Sequence, residues 1–157
     1  MTDENTISQA SNIEDTSKII RFILHEQAQC VLATQRDGNI YQHLMAYAFN
    51  ENLTTIYFAS FENTNKVKNI LQNASVSMLW DNRTGNNADH TDGFALSAQG
   101  RAQFIESEQQ PEIRDLLLKR NDSLSQLMSQ KDTQIIAVII KNYHLVLGYT
   151  KSSFYEP

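Results

Sequence analysis

Apolar positions change their spacing several times along this chain, and each change marks a boundary between elements. Ile19, Ile20, Ile23 and Leu24 recur at intervals of three and four. That spacing predicts a helix capped by Thr16 or Ser17 and ending near Glu26. Residues 28–34 carry apolar side chains on both faces, the pattern of a strand in a central position. Asp37-Gly38 is a hairpin signal, since glycine accepts the positive φ of a tight turn. Residues 40–49 and 53–60 predict a second hairpin around Asn50-Glu51-Asn52. Helical spacing returns at Val67, Ile70 and Leu71, behind Asn63 or Thr64 as a cap. Residues 75–80 read as a strand, 81–92 as a polar loop and 94–105 as a long strand with a bulge or bend at Gly100. A helix over 111–129, broken near Asn121-Asp122, precedes a β-branched strand over 134–149.

Six or seven strands, mostly in hairpins, with helices at the ends and in one crossover, predict a mainly β fold with flanking α. The joins are too short for parallel crossovers, so the sheet should be antiparallel and curl into a closed or partly open barrel. One domain is expected over 16–157. Residues 1–15 are polar and without periodicity, as in a disordered tail.

Composition narrows the function classes. The 157 residues are 41% apolar and 20% charged, as in a soluble globular protein. No apolar run approaches the roughly 18 residues a membrane helix needs, and the polar start does not read as a secretory signal. The single cysteine, Cys30, has no internal disulfide partner and sits in an apolar strand. It reads as a buried, inert thiol in a reducing cytoplasm. With a net charge of −5 and 13 scattered basic residues, the chain lacks the basic stripe that duplex DNA or anionic membrane would require. Asp81, Asp89, His90 and Asp92 offer oxygen and imidazole, but in no metal-binding register, so a solvated loop is expected. There is no nucleophile elbow, dinucleotide glycine fingerprint or P-loop.

One join does point to chemistry. The strand ending in Ala59-Ser60 hands over to Thr64-Asn65-Lys66 at a helix start, where unpaired N–H groups and the positive dipole end favour an anion. A lysine is poorly placed there unless a bound anion offsets the dipole; a solvated surface lysine is the alternative. The segments VLATQRDG, YQHLMAYAF, TIYFAS, TNKVKNIL, VSMLWDNR and AQGRAQF occur in this order from Val31 onward. Together they resemble the FMN-binding split-barrel family, the pyridoxamine 5′-phosphate oxidase-like proteins, over most of the chain.

That resemblance implies a six- to seven-stranded antiparallel split β-barrel, FMN as cofactor, and a homodimer with two flavins at the subunit interface. It places the FMN phosphate on Lys66, helped by Thr64, Ser60 and the main chain around Asn65, where relatives often carry arginine. It lays the strand edge of His43, Leu44, Met45 and Ala46 along the isoalloxazine and ribityl groups, with Ala59 and Ser60 beneath the ring. Asn82 and Arg83 would reach a flavin across the interface; charge spacing equally allows Arg83 a salt bridge to Asp81 or Asp89. Trp80 would pack near the ring or in the core.

The function implied is an FMN-dependent oxidoreductase acting on an unassigned small molecule, as in the short general-stress-type members. Oxidation of pyridoxamine phosphate is disfavoured, since no arginine follows Arg120. A non-catalytic flavin-binding or flavin-sensing protein is the alternative. Less favoured are a deazaflavin protein, for which Lys66 and Lys68 point to different helix faces, and a haem protein using His144 or His90 as axial ligand, although His144 reads as structural.

Overall fold

The computed structural model describes residues 13–106 and 108–157. In chain order the elements are α1 (Ile13–Glu26), β1 (Gln29–Arg36), β2 (Asn39–Ala46), β3 (Ala48–Phe49), β4 (Thr55–Phe61), α2 (Asn65–Gln72), β5 (Ser75–Asp81), α3 (Asp89–Asp92), β6 (Phe94–Phe104), α4 (Gln110–Arg120), α5 (Ser125–Met128), β7 (Thr133–Leu147) and β8 (Lys151–Tyr155). All strand pairings are antiparallel, in the order β2-β1-β5-β6-β7-β4-β3, with β8 also on β7. The two ends of that order, β2 and β3, are consecutive in the chain with Tyr47 alone between them. A single run therefore pairs with β1 through its first part and with β4 through its last, which curls the sheet into the split barrel expected from the sequence.

β7 is the spine. One flank pairs with β6 along most of its length; the other takes β4 over Thr133 to Ile139 and β8 over Tyr143 to Leu147. Its alternate residues serve two cores. Ile136, Val138 and Tyr143 join the main cluster inside the barrel, where Ile20, Ile23 and Leu24 of α1 and Val67 and Ile70 of α2 pack. Ile135 and Ala137 face Leu117 of α4 and Met128 of α5 in a second cluster. The register shift between Gln99 and Gly100 is the bulge expected at that glycine. A Cβ at Gly100 would lie 2.4 Å from the Ile139 carbonyl oxygen, so only glycine fits.

Several elements differ from the sequence expectation. α1 begins at Ile13, so Thr16 lies inside the helix, buried, rather than capping it. The helix also takes up the last three residues of the expected tail; the remainder of that tail lies outside the described residues. Residues 40–49 form two strands, because the chain must change partners at Tyr47. Leu71 is 70% exposed; α2 buries Val67, Asn69 and Ile70 instead. The expected strand over 134–149 stops at Leu147, turns at Gly148 (φ 57°) and returns as β8, which apolar spacing did not reveal. The polar loop contains the short helix α3.

Candidate functional site

The join singled out in the sequence is the handover from β4, ending at Phe61, to α2, starting at Asn65. Thr64 stands at the N-cap with extended backbone, yet its side chain does not cap the helix. Its hydroxyl donates to the Phe61 carbonyl at 3.0 Å and lies 2.9 Å from Ser60 Oγ. The first turn of α2 contains no acidic residue. Its N–H groups are therefore left without side-chain acceptors, the condition in which a helix start attracts an anion. Lys66 sits in that turn, half-buried, with Nζ 3.5 Å from Ser60 Oγ. Burial pulls its pKa below the usual lysine value. Among the described residues no carboxylate lies within ion-pairing distance of it.

Beside Lys66 lies a polar group that sequence reading missed in part. His43 Nε2 is 2.9 Å from Thr34 Oγ1 on the neighbouring strand. Asn69 Nδ2, from the buried face of α2, donates to the same oxygen at 2.9 Å. Both Thr34 and Asn69 are buried, and among the described residues Asn69 Oδ1 has no hydrogen-bond partner. The pKa of His43 is lowered, first by burial and then by the Lys66 charge, so the imidazole is neutral at pH 7. The one signal for Asn69 is a polar residue at a helix position flanked by core residues; nothing in the sequence singles out Thr34.

The other expected residues divide. Leu44 is 66% exposed on β2, while Met45 turns into the main core. Ala46 is half-buried at the end of the strand. β2 closes one end of the strand order, so its outward N–H and C=O groups have no strand partner among the described residues. A planar heterocycle with amide-like edges could pair with them. Asn65 is exposed at the start of α2. Ser60 belongs to the Lys66 cluster, whereas Ala59 packs in the second core with Leu117 and Met128, away from it.

Asn82 and Arg83 are not brought to Lys66. Asn82 Oδ1 accepts from the Phe94 N–H at 2.8 Å, and Arg83 pairs with Asp81 at 2.8 Å. Continuing the register that sets Val31 opposite Leu79 places Asp81 beside Gln29, about 17 Å along β1 from Thr34. Trp80 is buried, edge-on to Tyr47 at 5.5 Å. In the polar loop, the Asp89 carboxylate accepts from the Thr84 and Gly85 N–H groups and the Thr84 hydroxyl. Those bonds, the Thr84 hydroxyl first, hold its pKa low. His90 stacks on Tyr149, and His144 stacks on Phe154 with Nε2 2.7 Å from Ser152 Oγ. Cys30 is buried, its thiol pushed up to about 12, as an inert core residue. A separate open groove of about 990 Å³ on the solvent face of β1, β5, β6 and β7 is lined by Ala33, Gln35, Ser77, Gln99, Arg101 and Lys141, among others.

The profile of the pyridoxamine 5′-phosphate oxidase family matches residues 16–146. The chain belongs to that family. No curated protein sequence matches it. Among solved structures, Campylobacter jejuni ChuZ aligns over 99% of this chain and 69% of its own, at 17% identity and a TM-score of 0.80. A haem-binding protein from Mycobacterium smegmatis aligns over 87% of this chain at 14% identity and a TM-score of 0.76, and the chain spans 55% of its length. General Stress Protein 26 of Bacillus anthracis str. Sterne aligns over 90% of this chain and 98% of its own, at 19% identity and a TM-score of 0.69. These likenesses establish the pyridoxamine 5′-phosphate oxidase-like split barrel as the fold. Among the described residues no helix is long and apolar enough to cross a membrane.

Proposed function

We propose that this protein binds FMN, with the flavin phosphate at the start of α2, and acts as a flavin-dependent oxidoreductase on a small molecule. One observation carries the reading. Among the described residues, Lys66 is a half-buried cation without a carboxylate partner, set at a helix start whose N–H groups no side chain caps. A phosphate dianion supplies what that arrangement lacks. Ser60, Thr64 and His43 add neutral hydrogen-bonding groups around it. When bound, the flavin supplies the electron chemistry, and the chain binds and orients it. The free flank of β2, from His43 to Ala46, offers main-chain groups to the ring edge.

A homodimer belongs to this proposal. Asn82 and Arg83 are engaged with Phe94 and Asp81 rather than with the Lys66 corner, and the family resemblance sets them against a flavin of the partner chain. Ile40, Leu44 and Ile139 also leave apolar surface exposed. A cytoplasmic location suits the single buried thiol.

The first test is the absorption spectrum and mass of any small molecule that copurifies. A flavin spectrum and the mass of FMN are expected. In titrations, Lys66→Ala should weaken FMN binding at least tenfold, about 1.4 kcal/mol. Unchanged affinity would remove Lys66 from the site. Protein that turns yellow but is not reduced by nicotinamide donors would favour flavin binding without turnover.

A haem reading has support in the likeness to two such proteins, the mycobacterial haem-binding protein and HutZ, a haem storage protein from Vibrio cholerae. His144 is a poor axial ligand for it, with Nε2 held by Ser152 and its ring stacked on Phe154. A Soret band in the copurified material would decide for haem.

A further inference from the structure

We infer that Thr34 and Asn69 are positioning residues that hold His43 in a single tautomer, Nδ1–H, making it a neutral donor beside Lys66. The inference rests on proton accounting at a hydroxyl. Thr34 is 1% exposed, so water does not serve it. Its side-chain oxygen has two partners, Asn69 Nδ2 and His43 Nε2, each at 2.9 Å. An amide nitrogen only donates, so Asn69 uses a lone pair of the threonine oxygen and cannot take its proton. The hydroxyl proton then has one destination, the Nε2 lone pair. If Nε2 instead carried a hydrogen, two donors would meet at Oγ1 and the buried O–H would be left without an acceptor, an unfavourable arrangement.

With Nε2 accepting, the imidazole proton resides on Nδ1. That nitrogen has no protein partner among the described residues. His43 lies close enough to Lys66 for the ammonium charge to oppose its protonation. The ring is thereby a donor without being a cation. Next to Lys66 this matters: a second positive charge would be repelled, whereas a neutral N–H adds a hydrogen bond to an anion at no such cost. Asn69 is essential, because without its N–H the threonine oxygen is free to accept from His43 and the ring can adopt either form. Its burial on the core side of α2, unusual for asparagine, has a reason in this role.

The assignment of an anion to this corner is the proposal of the preceding section, but the tautomer can be read without any ligand. The experiment is ¹⁵N–¹H correlation of the histidine rings in full-length labelled protein, with His43 assigned by its loss in His43→Gln. Wild type should show a protonated Nδ1 and an unprotonated Nε2. Thr34→Val, which keeps the shape and removes the hydroxyl, should lose that signature, Asn69→Leu should show a mixture, and Thr34→Ser should restore the wild-type pattern. FMN titration supplies a second readout, with Thr34→Val weakening binding about fivefold and Thr34→Ser leaving it near wild type. Finding the proton on Nε2 in wild type, or an unchanged tautomer in Thr34→Val, would overturn the inference. Absence of FMN binding by wild type, with the tautomer signature intact, would sink the cofactor assignment and leave the positioning network standing.

Discussion

Lys66 places stability and binding in opposition. A half-buried ammonium with no counter-charge among the described residues is costly to the empty fold, and a helix start makes it worse. Lys66→Met keeps the aliphatic stem and removes the charge. Its melting temperature without ligand should equal or exceed that of wild type, while added FMN should raise only the wild-type value. A lower melting point for the empty variant, measured by calorimetry, would show that the lysine is instead stabilised by the protein alone. His43 gives a second prediction at this scale. Its native pKa lies below the ordinary value of 6.5, first because of burial and then because of Lys66. Below pH 6.5 the unfolded chain therefore binds a proton that the native chain refuses, and stability falls with pH until the native pKa is passed. Urea unfolding between pH 7.5 and 5 should show a smaller loss in His43→Gln than in wild type. Equal losses would contradict a depressed histidine. At this scale the sequence singled out Lys66 as a cation at a helix start, and the family resemblance alone singled out His43; the structure sets the two side by side. Thr34 was singled out by neither. A threonine is ordinary in any strand, and only the fold shows that its hydroxyl is sealed between a histidine and an asparagine.

Among elements, the helices were read better than their packing. The Val67 and Ile70 spacing found α2, but Leu71 was assigned to the core by hydrophobicity, and Asn69 holds that burial instead. The break near Asn121 was visible; the contact it serves was not. Arg120 ends α4 and reaches across to α1, donating to the Leu24 carbonyl and, at 2.7 Å, to the Gln27 carbonyl. Those groups belong to the C-terminal turn of α1 and the residue just after it, where a cation complements the dipole. Its guanidinium also lies 4.8 Å from the Tyr47 ring centroid and 5.2 Å from that of Phe49. One side chain thus ties α1, α4 and the partner-switching point of the barrel together. Arg120→Met should cost about 2–3 kcal/mol in urea unfolding, and Arg120→Lys should recover little, lacking the planar fork and the stacked face. A loss below about 0.5 kcal/mol would reduce Arg120 to an ordinary surface contact.

At the scale of the whole molecule, antiparallel character and a curled sheet followed from short joins and alternating residues, but the eighth strand and the route of closure did not. No local pattern announces that residues 40–49 would divide between β1 and β4, or that the end of the chain would return along β7. The assembly poses the same kind of question. Asp81, which pairs with Arg83, lies about 17 Å along β1 from Thr34, a neighbour of the Lys66 corner. Under the proposed homodimer a flavin touched by Lys66 and Arg83 takes them from different chains, and hybrid dimers report it. Lys66→Ala and Arg83→Ala chains should each form dimers that bind FMN weakly. In a hybrid, one corner would combine the intact Lys66 of one chain with the intact Arg83 of the other, while the second corner would lack both. Mixing and refolding the two variants should therefore restore a fraction of sites with wild-type affinity, seen as a tight phase in the FMN titration. If each flavin were held within one chain, every site in the hybrid would carry one lesion and no tight phase would appear. A chain that elutes as a monomer with FMN bound would rule out the shared site directly.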